Sequence, residues 1–353
     1  MIEVLVVDDS PVARELISHV LGSDPGIRVI GAAGSGKEAI ESIKHHRPDI
    51  ITMDINMSNM NGFEATRIIM ETDPLPIVIV TDRPDMHELD MSFQAIEAGA
   101  LAVLQKPHGI GHPAYTINAK ELITAVKLMS EIKVVRRWKR ISEKKGSPQR
   151  NGVDSLMSQP ADLKVVAIGA STGGPPAIET ILSGLSKDFS LPVLIVQHIA
   201  PGFTPGLAEW LRRKSCLSVH VAPKSGMIRP GHVYIAPDGV QMKVDADGRL
   251  LCTDDGPENG LRPSVSYLFR SVSEVFGKAS AGVLLTGMGK DGAEELRLMK
   301  EKGALTIAQD EESSVVFGMP GEAIRIKAAT YALPPDKIAS LLNSVGVWRR
   351  EKA

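Results

Sequence analysis

Residues 163–176 read LKVVAIGASTGGPP. An apolar run, a Gly-rich turn and then prolines are typical of a buried strand that passes directly into a helix. Inside this stretch GASTG, residues 169–173, matches the G-x-S-x-G nucleophile elbow, where small neighbours allow the sharp turn that exposes the serine. The pattern predicts an α/β domain with Ser171 as a candidate nucleophile. Because the run is neither G-x-G-x-x-G nor a P-loop, it does not favour nucleotide binding.

A serine nucleophile needs a general base and a carboxylate that orients the base. His198 is the best placed of nine histidines, because VLIVQH puts it at the end of the next buried strand. Asp291 follows another apolar strand in GVLLTGMGKDGAEEL, whereas the competing Asp238 lies in a Pro-Asp-Gly sequence that looks like an ordinary turn. The chain order Ser171, His198, Asp291 differs from that of α/β-hydrolases, chymotrypsin-like and subtilisin-like enzymes, so we predict a different scaffold for the same chemistry.

Apolar runs alternate with helix-like segments throughout this half of the chain. The predicted strands are residues 163–168, 193–196, 219–222, 233–236, 282–285 and 304–308. Strands separated by helices indicate a mostly parallel, doubly wound α/β domain. The pair Asp247-Gly248 between residues 240–244 and 249–252 predicts a β-hairpin inserted into the parallel pattern.

The N-terminal half shows a second βα alternation. Its predicted strands are residues 4–7, 29–32, 50–53, 77–80 and 102–104, which imply a parallel sheet. Ser10 is the predicted N-cap of the first helix, and Ser35 with Glu38 resembles a capping box. Asn118 with Glu121 predicts the start of a last helix that runs toward Trp138.

Polar side chains stand where these N-terminal strands end: Asp8, Asp9, Asp54, Thr81 and Lys106. The C-terminal strand ends of an open parallel sheet meet at one crevice, so we expect the five side chains to lie together. Three carboxylates form a hard-oxygen site suited to Mg²⁺. Lysine and threonine can hold the oxygens of a phosphoryl group, and an aspartate can act as its acceptor.

Length and composition set further bounds. A chain of 353 residues suggests two domains, and a formal net charge of −2 gives no general attraction to nucleic acid. Two cysteines without CxxC spacing support neither a zinc site nor a disulfide framework. The N-terminus lacks a signal-peptide pattern and no run of about 18 apolar residues occurs, so we expect a cytoplasmic protein without membrane insertion.

Residues 1–130 resemble the response-regulator receiver domain through the acids, threonine and lysine named above. The resemblance implies a flavodoxin-like sheet of order 2-1-3-4-5, with Asp54 as phosphoacceptor and a histidine kinase as phosphodonor. It further implies that Asp8, Asp9, Asp54 and the Asn56 carbonyl hold Mg²⁺. Thr81 and Lys106 would form the switch pair.

Four positions depart from the usual receiver pattern: Ser58, Asn61, Asp82 and Val103. The Asn61-Gly62 pair still suits a tight turn. Asp82 replaces the small residue that usually follows the switch threonine. We expect this extra carboxylate to alter the lifetime of the phosphorylated state, and Val103, in place of an aromatic residue, to alter how the switch is relayed.

The motifs GASTGGP, QHIAPGFT and LTGMGKDGA resemble, over residues 163–346, the catalytic domain of the chemotaxis receptor methylesterase. By that resemblance Ser171 attacks, His198 is general base and acid, and Asp291 orients the imidazole, without a cofactor. The Met288 backbone N–H would line the oxyanion hole and Thr172 would support the histidine. We expect a receiver domain at residues 1–138, a polar linker at 139–162 and the catalytic domain at 163–353.

The resemblance implies hydrolysis of glutamyl methyl esters, and deamidation of selected glutamines, on the cytoplasmic helices of chemoreceptors. It also implies that the unphosphorylated receiver covers the Ser171 face and that phosphorylation of Asp54 uncovers it. Two alternatives stay open at this point. The enzyme could serve a chemosensory pathway unrelated to motility, or the chain could be a phosphorylation-dependent binding protein.

Overall fold

A computed structural model describes residues 1–82, 86–113, 115–132, 134 and 163–346. The chain divides into two compact units, Met1–Lys144 and Lys145–Ala353. The predicted linker, residues 139–162, and the predicted helix end near Trp138 lie outside the described residues. Within the described residues no helix combines the length and the apolar character needed to cross a membrane.

The first unit alternates strands and helices. Its strands are β1 (Ile2–Val7), β2 (Ile27–Ala33), β3 (Ile50–Met53), β4 (Ile77–Thr81) and β5 (Ala102–Gln105). Its helices are α1 (Pro11–Gly22), α2 (Gly36–His45), α3 (Gly62–Thr72), α4 (Met86–Ala98) and α5 (Tyr115–Ser130). The sheet is parallel with the predicted order β2-β1-β3-β4-β5, so β1, β3 and β4 are central. Ser10 caps α1 and Ser35 caps α2 as predicted.

The last helix of this unit starts earlier than the capping pattern indicated. Helix α5 begins at Tyr115, so Asn118 lies inside its first turn. The Asn118 Oδ1 atom is 2.7 Å from the Nδ1 atom of His108 instead of capping a helix. A tertiary contact therefore uses the side chain that the local pattern assigned to a helix start.

The second unit contains ten strands within its described residues, 163–346. They are β6 (Val165–Ala170), β7 (Val193–Gln197), β8 (Ser218–Val221), β9 (Ser225–Met227), β10 (His232–Ile235), β11 (Gln241–Val244), β12 (Arg249–Thr253), β13 (Ser280–Leu284), β14 (Leu305–Gln309) and β15 (Tyr331–Leu333). Seven form a parallel sheet of order β15-β14-β13-β6-β7-β10-β8. Parallel strands buried on both faces read as continuous apolar runs, which is why β6, β7 and β13 could be predicted.

Helices follow most of these strands. They are α6 (Gly174–Gly184), α7 (Thr204–Lys214), α8 (Val265–Phe276), α9 (Ala293–Glu301), α10 (Met319–Arg325) and α11 (Pro335–Gly346), with one 3₁₀ turn at Gly277–Ala279. Helix α6 packs against α7 and α11, and α9 packs against α8 and α10. The core between the second group and the sheet is apolar, with Phe269, Leu296 and Met299 fully buried.

The predicted hairpin is present between the parallel strands β10 and β13. β11 and β12 pair antiparallel across Asp247-Gly248. Together with β9 they form a separate three-stranded sheet of order β11-β12-β9, while every pairing in the seven-stranded sheet is parallel. The short strand β9 carries no apolar alternation that would have revealed this second sheet.

Candidate functional site

The first unit brings three acids together at the C-terminal edge of its sheet. Carboxylate oxygens of Asp8, Asp9 and Asp54 lie within 4.8 Å of one another. Asp8 and Asp54 are buried, because β1 and β3 are central strands. The Nζ atom of Lys106 is 2.8 Å from Asp8 Oδ2 and 3.2 Å from Asp54 Oδ2. Four of the five predicted side chains therefore form one charged cluster.

Burial sets the ionisation of this cluster. It raises the pKa of Asp54 from 3.8 to about 7, because the ammonium of Lys106 offsets the desolvation of the carboxylate only in part. Burial alone would lower the pKa of Lys106, but the adjacent Asp8 and Asp54 carboxylates raise it overall. The cluster thus holds more negative charge than one lysine can balance, which favours a bound cation.

The acid cluster fits a divalent metal. The Asp54 Oδ1 atom is buried and accepts no hydrogen bond from any described residue. An orphaned carboxylate oxygen beside two further carboxylates is a suitable donor for a hard cation. Asn56, whose carbonyl was the fourth predicted ligand, lies exposed in the loop that follows β3.

The loop after Asp54 depends on a glycine. A Cβ atom on Gly62 would lie 1.9 Å from the backbone carbonyl oxygen of Asp54, so no side chain fits there. Asn61 is the N-cap of α3, where its Oδ1 atom accepts a hydrogen bond from Glu64 N–H at 2.8 Å. Its place in the unusual Asn-Gly pair is therefore explained by helix capping rather than by a tight turn.

Thr81 and Asp82 stand beside this cluster. Thr81 is buried at the end of β4, and its carbonyl accepts a hydrogen bond from Lys106 N–H at 2.8 Å. Asp82 is exposed, with its Oδ2 atom 3.4 Å from Lys106 Nζ. Lys106 therefore faces a third carboxylate. Val103 is buried within β5.

In the second unit, strand register places Ser171 beside His198. Ala170 at the end of β6 pairs with Gln197 at the end of β7, so the next residues of the two strands are neighbours. The His198 N–H donates to the Ala170 carbonyl at 2.9 Å, and the Ser171 N–H donates to Thr286 at 3.0 Å. Gly287 also packs against Ser171, since a Cβ atom there would lie 2.6 Å from Ser171 Cβ. The serine is thereby fixed between two neighbouring segments.

Asp291 completes the predicted cluster from the other side of β6. Its Oδ2 atom is 3.0 Å from His198 Nε2, and that nitrogen makes no hydrogen bond to a described residue. The Asp291 carboxylate is otherwise held by the N-terminus of α8. It accepts from Ser264 Oγ at 2.9 Å, Val265 N–H at 2.7 Å and Ser266 N–H at 3.1 Å.

The surroundings of Asp291 keep it ionised. Burial acts to raise its pKa, but the contact with His198 and the donors of α8 lower it from 3.8 to about 2. Backbone N–H groups at a helix N-terminus favour a negative charge for the same reason. A permanently anionic carboxylate next to an imidazole is the pair that a general base requires.

Two backbone N–H groups in the segments that hold Ser171 have no acceptor in the described part of the chain. Neither Thr172 N–H nor Met288 N–H donates a hydrogen bond to a described residue. Met288 is 49% exposed, and it follows Gly287, which packs on the serine. Such donors suit an oxyanion. The Thr172 hydroxyl makes no hydrogen bond to His198 in the described part of the chain, although the two residues follow adjacent strand ends.

Sequence reasoning missed several residues that hold the site. Gln197, Ser264, Ser266 and Thr286 are all buried. The Thr286 hydroxyl donates to the Thr172 carbonyl at 2.9 Å and accepts from Val316 N–H at 2.9 Å. Only Ser264 left a local signal, since a serine before an apolar helical run is a typical N-cap.

The competing carboxylate, Asp238, has a different task. Its Oδ2 atom accepts from Gly202 N–H at 2.8 Å, and its Oδ1 atom accepts from the Thr204 hydroxyl. Both partners lie where the loop after β7 enters α7. Asp238 therefore fixes the conformation of this loop through two hydrogen bonds.

Comparison with known proteins gives the same two-part organisation. The CheB methylesterase family model matches residues 166–342, and the response regulator receiver domain model matches residues 4–112. A protein-glutamate methylesterase/protein-glutamine glutaminase from Nitrosospira multiformis is 55% identical over 99% of both chains. A protein of that name, numbered 1, from Syntrophus aciditrophicus is 54% identical over 97% of both. The solved Thermotoga maritima CheB methylesterase catalytic domain is 38% identical with a TM-score of 0.50, covering 52% of this chain and 98% of that one.

Proposed function

The chain belongs to the CheB methylesterase family, and on that basis we propose that it is a phosphorylation-controlled protein-glutamate methylesterase and protein-glutamine glutaminase. The single observation that supports the chemical part of this proposal is that Ser171, His198 and Asp291 follow the three adjacent strands β6, β7 and β13. The Nε2 atom of His198 lies 3.0 Å from Asp291, and strand register puts His198 next to Ser171.

These residues support acyl transfer by a serine nucleophile. Because Nε2 of His198 faces Asp291, Nδ1 is the ring nitrogen left to take the proton from the Ser171 hydroxyl. The Ser171 oxygen attacks the ester carbonyl, and the oxyanion meets the free N–H groups of Thr172 and Met288. As the bond to the methoxy group breaks, His198 gives its proton to the departing methoxide oxygen, and methanol is released. Water, activated by His198, hydrolyses the acyl-enzyme and leaves a glutamate carboxylate.

Deamidation follows the same route with ammonia as the leaving group, so one site serves both activities. We propose that the substrates are glutamyl methyl esters and selected glutamines on the cytoplasmic helices of chemoreceptors. Ser171 lies in a turn and is only partly buried, which suits a substrate presented on another protein. Hydrolysis at these positions adjusts receptor signalling and gives adaptation in chemotaxis.

The receiver unit supplies the control. We propose that a histidine kinase donates phosphate to Asp54, with Lys106 and Thr81 holding the phosphoryl oxygens. Asp8, Asp9, Asp54 and the Asn56 carbonyl would hold Mg²⁺, which would offset carboxylate repulsion and supply a positive charge for the phosphoryl oxygens. Phosphorylation adds negative charge to the acid cluster and shifts the receiver unit between two conformations. This shift raises the rate of hydrolysis at Ser171.

The test follows methanol release from methylated receptor while a small phosphodonor and Mg²⁺ are supplied. Wild type should be activated by the phosphodonor, Asp54→Ala should keep only its basal rate, and Ser171→Ala should release no methanol above background. Equal rates in wild type and Ser171→Ala would contradict the enzymatic proposal. Activation that survives in Asp54→Ala would contradict the proposed phosphoacceptor.

A further inference from the structure

Gln197 occupies an unusual position between the two strands that carry Ser171 and His198. It is the last residue of β7 and is 4% exposed. Its Nε2 group donates one hydrogen bond to the Ser171 carbonyl and another to the His198 carbonyl, both at 2.8 Å. One side-chain amide thus spans the ends of both strands.

The parallel ladder between β6 and β7 explains what this amide replaces. Along a parallel pair, every second residue of one strand donates to every second residue of the other. Val166 N–H donates to the Pro192 carbonyl. Two-residue steps from this bond lead to Thr172 N–H and the His198 carbonyl as the next pair at the strand end.

That next pair does not form. The His198 carbonyl accepts from Gln197 Nε2, and Thr172 N–H has no acceptor among the described residues. The chain leaves β6 at this point, with Gly173 in a left-handed conformation at φ 76° before α6 begins. The Gln197 amide therefore satisfies the carbonyl that the sheet would otherwise offer to Thr172.

We infer that Gln197 is a positioning residue of the hydrolase site, which keeps Thr172 N–H unpaired and available to an oxyanion. This inference rests on the proposed function, because it assigns a purpose to a donor next to Ser171. The N–H of the residue after the nucleophile is a usual oxyanion donor in elbow-type sites. Such a donor contributes only if no stronger acceptor has already taken it.

The packing around Gln197 fixes the orientation of its amide. A Cβ atom on Gly174 would lie 2.0 Å from Gln197 Oε1, so the first turn of α6 closes over the side chain. The Oε1 atom is buried and has no hydrogen-bond partner among the described residues. A reversed amide would place this oxygen against two carbonyls, so the Nε2 assignment follows from the surrounding acceptors.

Hydrogen exchange tests the inference on the wild-type protein. With threonine and serine ¹⁵N-labelled, the Thr172 N–H should exchange rapidly, whereas Ser171 N–H, bonded to Thr286 at 3.0 Å, should be protected. In Gln197→Met, a substitution of similar shape without donors, Thr172 N–H should become protected as it pairs with the vacated His198 carbonyl. A wild-type Thr172 N–H as protected as that of Ser171 would overturn the inference.

Kinetics supply the second readout. Gln197→Met should lower kcat by about 10²-fold with little change in KM, in the range for loss of one oxyanion donor. Its affinity for a boronic acid that adds to Ser171 as a tetrahedral anion should fall in parallel. Asn343→Leu is the matched control, because the Asn343 amide also bridges two backbone groups, Ser186 N–H and the Gly184 carbonyl. This control should keep wild-type kcat.

The outcomes separate the two proposals. If Ser171→Ala retains full activity, the proposed function fails regardless of Gln197. If Ser171→Ala is inactive while Gln197→Met turns over within twofold of wild type, the function stands and the role of Gln197 is wrong. Equal losses in Gln197→Met and Asn343→Leu would likewise reduce Gln197 to a stabilising residue.

Discussion

The hydroxyl of Ser264 donates a 2.9 Å hydrogen bond to Asp291 Oδ1 while its oxygen caps helix α8 by accepting from Tyr267 N–H. One buried side chain therefore both starts a helix and fixes the carboxylate that faces His198. The N–H of Ser264 is in turn bound by Gln241 Oε1 at 2.9 Å, which links the small antiparallel sheet to the site.

Substitutions at Ser264 should separate these two tasks. Ser264→Ala and Ser264→Gly both remove the hydrogen bond to the charged Asp291, so each should lower kcat about tenfold. Glycine is a tolerable N-cap and alanine is not, so Ser264→Ala alone should lose about 1 kcal/mol of stability through the helix. Steady-state methanol release and urea unfolding measure the two effects.

Ser264→Thr is the conservative control, since it retains a hydroxyl and should retain most of the activity. If Ser264→Gly keeps wild-type kcat while Ser264→Ala loses it, helix capping rather than the Asp291 contact is the cause.

The low pKa of Asp291 predicts a pH-dependent contribution to folding. Its pKa falls from 3.8 to about 2 on folding, so its stabilising contribution is present above pH 4 and is lost as pH falls toward 2. The full contribution is about 2 kcal/mol. The difference in urea midpoint between wild type and Asp291→Asn, followed for the second unit, should be constant from pH 5 to 7. It should shrink below pH 4, and a difference that does not change with pH would contradict the role of the charge.

The contribution of Asp54 to folding stability should depend on pH in the opposite direction. Its pKa rises from 3.8 to about 7 on folding, so its contribution is fully present below about pH 4 and is lost as pH rises through 7. At pH 8, without divalent metal, Asp54→Asn should therefore unfold at a higher temperature than wild type, and the gap should narrow at pH 5. Calorimetry of both proteins measures this gap, and an equal gap at the two pH values would count against an uncompensated buried carboxylate.

Magnesium should reverse the order of the unfolding temperatures of wild type and Asp54→Asn at pH 8. Mg²⁺ balances the acid cluster of Asp8, Asp9 and Asp54, so it should raise the unfolding temperature of wild type more at pH 8 than at pH 5. Asp54→Asn should respond much less. A response that is independent of both pH and Asp54 would place the bound Mg²⁺ elsewhere.

Asp82 should shorten the life of the phosphorylated receiver. Its carboxylate lies 3.4 Å from Lys106 Nζ and so competes with a phosphoryl group for that ammonium. Asp82→Ala should slow dephosphorylation by a factor of about two to five, the range for an exposed ion pair, and less in high salt. Loss of labelled phosphate from Asp54 measures the rate.

Glu71→Ala, at the far end of α3, is the control for Asp82 because it also removes an exposed acid. Equal dephosphorylation rates for wild type and Asp82→Ala would contradict a role for Asp82 in the lifetime of the phosphorylated state.

The sequence predicted the residues that stand at strand ends far better than those that support them. Ser171, His198 and Asp54 follow buried apolar strands, and the ends of parallel strands meet by geometry alone. The hydrogen bond from Ser264 to Asp291 joins residues 27 positions apart, with α8 and β13 between them, and no period or local motif encodes such a contact. The bridge made by Gln197 was missed because a glutamine that ends an apolar strand has no special pattern.

Local signals also failed where a tertiary contact overrode them. Asn118 and Glu121 match a capping box, yet α5 already begins at Tyr115, and the Asn118 side chain contacts His108 instead. The hairpin turn at Asp247-Gly248 was correct, but the sheet to which it belongs depends on β9, which is only three residues long.

The sheet order β13-β6-β7 means that hydrolysis cannot precede the assembly of the centre of the second unit. β7 follows β6 through helix α6, and β13 follows β7 only after five further strands and two helices, so these strands come together late and slowly compared with local hairpins. The rate at which esterase activity returns after dilution from denaturant therefore reports the rate at which these central strands assemble. The return of the circular dichroism signal of helices would report only the formation of local structure.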